Sequence, residues 1–192
     1  MPLLPTLAFA RQLIEGRLKN GGRALDGTAG NGRDTLFLAQ LVGGNGKVWA
    51  FDIQAQALSN TAGLLRENGV EGQVELIAAS HADLADYVRE PLDAAMFNFG
   101  YLPGGDKTVT TKADSSVRAM QAAAALLAEG GLLTAVVYSG HPAGRAEAAA
   151  IEQWAAALPQ EQYQVLHYRF TNQRNYPPQL LAIEKRIRKP NR

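Results

Sequence analysis

The sequence predicts a single α/β domain over residues 1–192, built on a doubly wound, mostly parallel sheet of seven strands that ends in an antiparallel hairpin. Strand-like and helix-like segments alternate along most of the chain, and a glycine-rich turn joins the first strand to a helix. The last two strand-like segments are joined by too few residues for a helical crossover, so they should pair antiparallel. The length suits one well-buried domain and is too short for two.

The first half of the chain predicts the elements around the glycine-rich turn. Helical periodicity predicts an opening helix over Thr6 to Lys19, within an N-terminal segment of residues 1–20. Apolar runs and glycines mark the elements that follow. They are a strand over Arg23 to Asp26, a helix over Gly32 to Leu41, a strand over Lys47 to Asp52, a helix over Gln54 to Asn68 that Gly69 ends, and strands over Val74 to Ala78 and Leu92 to Asn98.

The second half continues the alternation. An alanine-rich segment predicts a helix over Thr111 to Leu127, which the glycine pair at 130–131 ends. The remaining elements are a strand over Leu132 to Tyr138, a helix over Ala143 to Ala157, and strands over Tyr163 to Phe170 and Gln179 to Ile187. The closing hairpin then leaves one reversed strand in an otherwise parallel sheet.

Composition restricts the class of protein. A content of 46% hydrophobic and 19% charged residues suits a globular domain. The absence of cysteine excludes disulfides, thiolate nucleophiles and cysteine-ligated metal, and no metal site is expected. The chain has no apolar run of membrane-spanning length, and its first five residues lack the charge of a secretory signal. We therefore expect a cytoplasmic protein with no membrane partner.

The glycine-rich turn, DGTAGNGRDT at residues 26–35, predicts a nucleotide-type ligand. Dinucleotides place a pyrophosphate at the helix N-terminus, where the two acidic residues of this turn would repel it and would instead attract the ammonium group of a methionine moiety. Dinucleotide sites also use a third glycine where this chain has a threonine, whereas two of its glycines fit the methyltransferase pattern D-x-G-x-G-x-G. The turn therefore favours S-adenosylmethionine as the cofactor, with a purely structural turn as the alternative. The candidate ligands are Asp26, Thr28, Gly30, Asn31, Gly32, Asp34 and Thr35.

Two further segments extend this candidate cofactor site. Asp52 ends the second strand, where a carboxylate can accept both ribose hydroxyls, and Gln54 follows it. Asp52 could equally cap the helix that begins near Gln54, and both roles could coexist. Ser80 and His81 follow the third strand, where adenine contacts usually arise, although such a pair is often an ordinary surface turn.

The segment after the fourth strand is the candidate catalytic loop, because ligands bind beyond the carboxyl ends of the strands in this type of sheet. The amide oxygen of Asn98 can accept a hydrogen bond from an amine, and Tyr101 can stack on a flat base. The order N-F-G-Y is similar to the N-P-P-Y of amino-group methyltransferases. Asp106, or His141 after the fifth strand, could accept a proton, and Lys107 lies in the same loop. A connecting turn is the alternative.

Two segments near the end of the chain are candidate RNA contacts. The connection between the last two strands contains Arg174, Asn175 and Tyr176, a composition that suits nucleotide contacts and equally a solvated hairpin. Residues 184–192 carry five basic side chains and one acidic one, which could lie along phosphates or only increase solubility.

Seven segments together give the chain a resemblance to a known family. They are DGTAGNGRDTLFLA, FDIQ, SH after the third strand, FNFGYLPGGDK, YSGHPAG, NQRNYPP and the closing IEK. The chain resembles the family first labelled putative rRNA methylases, also called the YtqB-like family, which includes MnmM-type tRNA methyltransferases. The resemblance extends over nearly the whole chain, and FNFGYLPGGDK is a far more specific marker than the glycine-rich turn.

The resemblance implies a Rossmann-like class I methyltransferase that uses S-adenosylmethionine. It implies N-methylation of the aminomethyl group on wobble 5-aminomethyl-2-thiouridine in tRNA, while the family label keeps rRNA as an alternative substrate. A different amine substrate, a nucleotide-dependent oxidoreductase and a non-catalytic RNA-binding protein on the same fold are the other hypotheses. The sequence leaves open whether the chain forms a homodimer.

Overall fold

The computed structural model describes residues 3–100, 110–140 and 142–188. Its helices are α1 Thr6–Glu15, α2 Arg33–Val42, α3 Ala55–Glu67, α4 Leu84–Tyr87, α5 Ala113–Leu126 and α6 Pro142–Ala156. Its strands are β1 Arg23–Asp26, β2 Lys47–Asp52, β3 Val74–Ala78, β4 Leu92–Phe99, β5 Leu127–Val137, β6 Tyr163–Tyr168 and β7 Gln179–Lys185. Short 3-10 helices cover Gly43–Asn45, Glu71–Gln73 and His81–Asp83.

The seven strands form one sheet in the order β3-β2-β1-β4-β5-β7-β6. β1 to β5 are parallel, and β7 runs antiparallel to both β5 and β6. The predicted mostly parallel sheet with a terminal antiparallel hairpin is therefore confirmed. The order of the strands reverses between β1 and β4, and such a switch point is where this architecture binds its ligands.

Helices cover both faces of the sheet, and consecutive strand residues point to opposite faces. Ala24 packs in one cluster with α1, α2 and α3, whereas Leu25 packs in a second cluster with α4, α5 and α6. Because both faces are buried, the central strands are apolar almost throughout, as in the buried run Ala94–Phe97. Within the described residues, no helix combines the length and the apolar character needed to cross a bilayer.

The opening helix ends four residues earlier than predicted. α1 stops at Glu15, and the next residue, Gly16, donates its N–H to the carbonyl of Gln12 as the C-cap. Glycine is a poor helix former, and the prediction gave it too little weight because Leu18 continues the apolar periodicity. Leu18 is buried all the same, because it packs in the hydrophobic cluster that contains Ile14. Its N–H still bonds to the carbonyl of Ile14 at 2.8 Å.

The glycine pair at 130–131 lies inside β5. The sequence had predicted that the pair precedes this strand. The register with β4 shifts between Leu92 and Ala94, opposite this pair. Gly130 has a φ of 78°, and a Cβ on Gly131 would lie 2.8 Å from the carbonyl oxygen of Leu92. The glycines therefore allow an irregularity within a longer strand, which is a second common role of glycine pairs.

Candidate functional site

A cavity of about 810 Å³, the main cavity, opens at the carboxyl ends of β1, β2 and β4. The glycine-rich turn, the residues that follow β2 and β3, and Asn98 on β4 form one part of its wall. The rest of the wall is the face of α1 that carries Leu7, Ala8 and Arg11, together with residues 110–112 and 115. The main cavity therefore lies at the switch point of the sheet, where the sequence placed its candidate ligands.

The glycine-rich turn needs its glycines for two different reasons. Gly30 and Gly32 have φ values of 54° and 81°, in the left-handed region that favours glycine. At Gly27 the backbone φ is ordinary, but a Cβ would overlap the ring of Phe97. Gly30 and Gly32, the two glycines that fit the D-x-G-x-G-x-G pattern, are therefore required by the backbone conformation of the turn, and Gly27 is required by the packing of Phe97.

Asp26 lies beneath the turn and holds it together. Its carboxylate accepts hydrogen bonds from the N–H of Thr28 at 3.0 Å and from the hydroxyl of Thr35 at 2.6 Å. Burial, and then the negative charge of Asp34, raise the pKa of Asp26 from 3.8 to about 7. Asp26, Gly32 and Thr35 do not line the main cavity, so the structure gives them a supporting position, and their role as direct ligands stays a prediction.

The raised pKa of Asp26 predicts a distinctive pH dependence of stability. Between the unfolded pKa of 3.8 and the folded pKa of about 7, only the folded state keeps this proton. The contribution of Asp26 to the free energy of unfolding should therefore fall as pH rises through this window and level off above it. We expect Asp26→Asn, which keeps the shape and an acceptor oxygen, to gain stability relative to the unsubstituted chain from about pH 5 to about pH 7. Urea denaturation across this range measures the difference, and a constant difference would contradict the assignment.

Asp34, at the start of α2, is paired with Arg11 of α1. The Nη2 and Nε atoms of Arg11 lie 2.7 Å and 2.9 Å from one carboxylate oxygen of Asp34. The negative charge that the sequence predicts beside the turn is thus partly offset by a cation. Sequence reasoning missed Arg11, although Leu7, Ala8 and Arg11 share one helical face and all three line the main cavity.

Asp52 connects the glycine-rich turn to the start of α3. One of its carboxylate oxygens accepts the N–H of Gly30 at 2.9 Å, and the other accepts the N–H of Gln54 at 2.9 Å. The alternative that Asp52 caps this helix is wrong, because the N-cap of α3 is Gln54 and no side chain caps it. The bond to the Gln54 N–H instead closes a turn just before the helix. Each oxygen has a second lone pair, and Asp52 and Gln54 both line the main cavity, so the predicted ribose contact is compatible with these bonds.

Ser80 and His81 contribute the wall that follows β3. The hydroxyl of Ser80 accepts the N–H of Ala82 at 3.2 Å and so caps the short 3-10 helix. The ring of His81 packs edge-on against Phe97 and Phe99, and its burial lowers the pKa of the imidazole. Its buried Nε2 has no hydrogen-bond partner among the described residues. A neutral imidazole with a spare nitrogen is suited to a polar ligand atom.

Asn98, near the end of β4, lines the main cavity and has an unpaired side-chain acceptor. Its backbone N–H donates to the hydroxyl of Thr28 at 2.8 Å, which fixes the strand end to the glycine-rich turn. Its side-chain Oδ1 is buried, and no described residue donates a hydrogen bond to it. A buried amide oxygen without a donor costs about 1–3 kcal/mol. A ligand with an N–H or O–H group would satisfy it.

Glu147, on α6, anchors the segment that follows the candidate catalytic loop. This buried carboxylate accepts the hydroxyls of Thr111 at 3.0 Å and of Ser116 at 2.5 Å. Thr111 lines the main cavity, and its N–H also donates to the carbonyl of Gly100 at 3.2 Å. Nothing in the sequence singled out Glu147, because it lies 36 residues from Thr111 in an alanine-rich helix.

Asn31 lines the main cavity, as the sequence predicted for a ligand, and the remaining candidates fall in two groups. Tyr101, Asp106, Lys107 and His141 lie outside the described residues. Arg174, Asn175 and Tyr176 do not line the main cavity but a second concave region beside α6. Within the described ranges, no group of three or more histidine, aspartate or glutamate side chains is arranged to hold a metal ion.

The family described as "Putative rRNA methylase" matches residues 48–184. The chain is 35% identical over 179 residues to a protein from Arabidopsis thaliana named tRNA (mnm(5)s(2)U34)-methyltransferase, chloroplastic. The alignment covers 88% of this chain and 65% of the Arabidopsis protein, so the chain spans about two thirds of the length of that relative.

Two solved structures are similar over almost their whole length. One is described as a putative rRNA-methylase from Clostridium thermocellum, with 37% identity, a TM-score of 0.95, and coverage of 96% of this chain and 100% of that chain. The other is a putative methyltransferase from Streptococcus mutans in complex with SAH, with 36% identity, a TM-score of 0.88, and coverage of 96% and 99%. The fold is thus the Rossmann-like class I methyltransferase fold that the sequence predicted. Because the family pattern extends over 48–184, and so over most of the domain, the chain belongs to the rRNA methylase family.

Proposed function

We propose that this chain is an S-adenosylmethionine-dependent methyltransferase that methylates the aminomethyl nitrogen of wobble 5-aminomethyl-2-thiouridine in tRNA. The observation that carries the proposal is the buried and unpaired Oδ1 of Asn98 in the same cavity as the glycine-rich turn and Asp52. An amine substrate has the N–H that this oxygen lacks. The similarity to the Arabidopsis tRNA methyltransferase and to the SAH complex from Streptococcus mutans supports both the substrate and the cofactor.

The residues of the main cavity fit S-adenosylmethionine. Gly27 and Gly30 line the main cavity without a side chain, and Asp52 can accept the ribose hydroxyls while it keeps its bonds to Gly30 and Gln54. The spare Nε2 of His81 suits the polar edge of adenine. Arg11, already next to Asp34, supplies a cation for the carboxylate of the methionine moiety. When bound, the cofactor supplies an activated methyl group on a sulfonium.

The protein then has to orient the amine and exclude water. Asn98 can hold the amine through one N–H and so direct its lone pair into the cavity, because its own backbone is fixed to Thr28. Glu147 holds Thr111, and with it the segment next to Gly100, against this site. An alkylammonium has no free lone pair, so a proton must leave before transfer, and Asp106 or His141 remains our prediction for its acceptor.

The decisive test is methyl transfer to a defined RNA. Purified protein, the methyl donor and tRNA that carries 5-aminomethyl-2-thiouridine should give the methylaminomethyl nucleoside, detected by mass spectrometry of digested tRNA. Transcribed rRNA offered in the same reaction should remain unmethylated. Methylation of rRNA alone would replace the proposed substrate with the one in the family description, and no transfer to either RNA would contradict RNA methylation altogether.

The proposal includes RNA as the partner and the cytoplasm as the compartment. The proposal does not depend on a homodimer, and sedimentation of the purified chain would measure its oligomeric state.

A further inference from the structure

A second concave region of about 700 Å³, here called the arginine cavity, lies between α6 and the connection from β6 to β7. Its lining includes Arg145 from α6 and Arg169, Arg174 and Tyr176 from the connection. None of these four side chains lines the main cavity.

The arginine cavity adjoins the main cavity at the end of β5. Tyr138 lines the main cavity, and the next residue, Ser139, lines the arginine cavity. Val137, at the end of β5, is paired in register with Phe99, the residue after Asn98. Because neighbouring strands in a sheet lie about 4.8 Å apart, one ligand of a few nucleotides could occupy both cavities.

The charges of the arginine cavity are suited to an anion. None of its three arginines forms a salt bridge with a carboxylate of another described residue. Among the described residues of its lining, Glu152 is the one acidic side chain, and this carboxylate faces His167 at 3.4 Å. Uncompensated guanidinium groups in a concave site bind phosphate oxygens well, because their planar donors match the geometry of the anion.

Tyr176 adds an aromatic surface to this cavity. It is 61% exposed, and the guanidinium of Arg145 lies 5.4 Å from its ring centroid. Asn175 and Tyr176 have φ values of 65° and 49°, so two consecutive non-glycine residues adopt the left-handed conformation. Such strain costs free energy and is concentrated at functional sites. An exposed ring held in this way beside arginines can stack on a base.

We propose that the arginine cavity is an RNA subsite, in which Arg145 and Arg174 hold backbone phosphates and Tyr176 stacks on a base next to the nucleotide whose amine is methylated. This inference rests on the proposed function, since it requires RNA as the ligand. It also explains how a chain without a separate RNA-binding domain in its described residues could hold the RNA.

The test is the binding of a fluorescein-labelled, unmodified anticodon stem-loop RNA, measured by anisotropy over a range of salt concentrations. We expect the double variant Arg145→Ala/Arg174→Ala to bind at least about 10-fold more weakly. Loss of two phosphate contacts should also reduce the slope of log Kd against log salt by about 1.4–1.8. Tyr176→Ala should weaken binding several-fold, whereas Tyr176→Phe, which keeps the ring, should not. Affinity for S-adenosylmethionine, measured by calorimetry, should stay unchanged in all of these variants.

Arg66→Ala is the matched control, because Arg66 is exposed in the last turn of α3, at the opposite edge of the sheet. The proposal would be overturned if the double variant had the same RNA affinity and the same salt slope as Arg66→Ala.

The proposed function and the proposed subsite can fail separately. RNA binding that depends on the arginine cavity without methylation of the wobble amine would contradict the proposed function alone, whereas normal methylation with RNA binding unaffected by the double substitution would contradict the subsite alone.

Discussion

Asn98→Ala is expected to slow methyl transfer by about 2–4 kcal/mol in activation free energy, or roughly 30- to 900-fold in rate. The substitution removes the acceptor oxygen that has no partner among the described residues, and it leaves the backbone bond to Thr28 in place. The amine would then be free to rotate, and its lone pair would seldom point toward the methyl group. Single-turnover kinetics with saturating cofactor measures this step without a contribution from product release.

The same variant should bind S-adenosylmethionine with nearly unchanged affinity and should be at least as stable, because a buried oxygen without a donor has been removed. Asn68→Ala, at the C-cap of α3, is the matched control and should keep the full rate. A loss of cofactor affinity as large as the loss of rate would assign Asn98 to the cofactor site and would contradict its role in orienting the amine.

The architecture could be predicted because it depends on local patterns. Strands of a parallel sheet buried on both faces are continuous apolar runs, and each ends at a recognisable turn. Asp26, Asp52 and Asn98 were identifiable for the same reason, since each lies at or near the carboxyl end of a strand and the sheet brings those ends together. One rule about strand ends was therefore enough to assemble most of the candidate site.

Contacts between distant segments could not be predicted in this way. Arg11 reaches Asp34 across 23 residues, and Glu147 reaches Thr111 across 36, and neither pair belongs to a sequence motif. The sequence also did not show which residues of the glycine-rich turn face the main cavity and which support the turn. Asp26 and Thr35 hold the turn from beneath, whereas Gly30 and Asp34 face the main cavity, because the turn reverses direction in a few residues.

Asp52→Ala is expected to weaken the binding of S-adenosylmethionine by about 10- to 150-fold. Hydrogen bonds to a charged acceptor contribute about 1.5–3 kcal/mol, and the substitution removes the predicted ribose acceptor together with the bonds from the N–H groups of Gly30 and Gln54. Calorimetric titration measures the affinity. Asp86→Ala is the matched control, because Asp86 is exposed on α4 and should leave cofactor affinity unchanged.

A weaker affinity alone would not separate a ribose contact from a loosened glycine-rich turn, because Asp52 supports Gly30 as well. A ligand without the ribose hydroxyls, 2′,3′-dideoxy-S-adenosylhomocysteine, separates the two explanations. The thermodynamic cycle combines the substitution of Asp52 with the removal of the ligand's hydroxyls. If Asp52 binds the ribose, the unsubstituted protein should prefer S-adenosylhomocysteine strongly, and Asp52→Ala should lose most of that preference. If both proteins preferred S-adenosylhomocysteine over the dideoxy ligand equally, Asp52 would support the turn and would not bind the ribose.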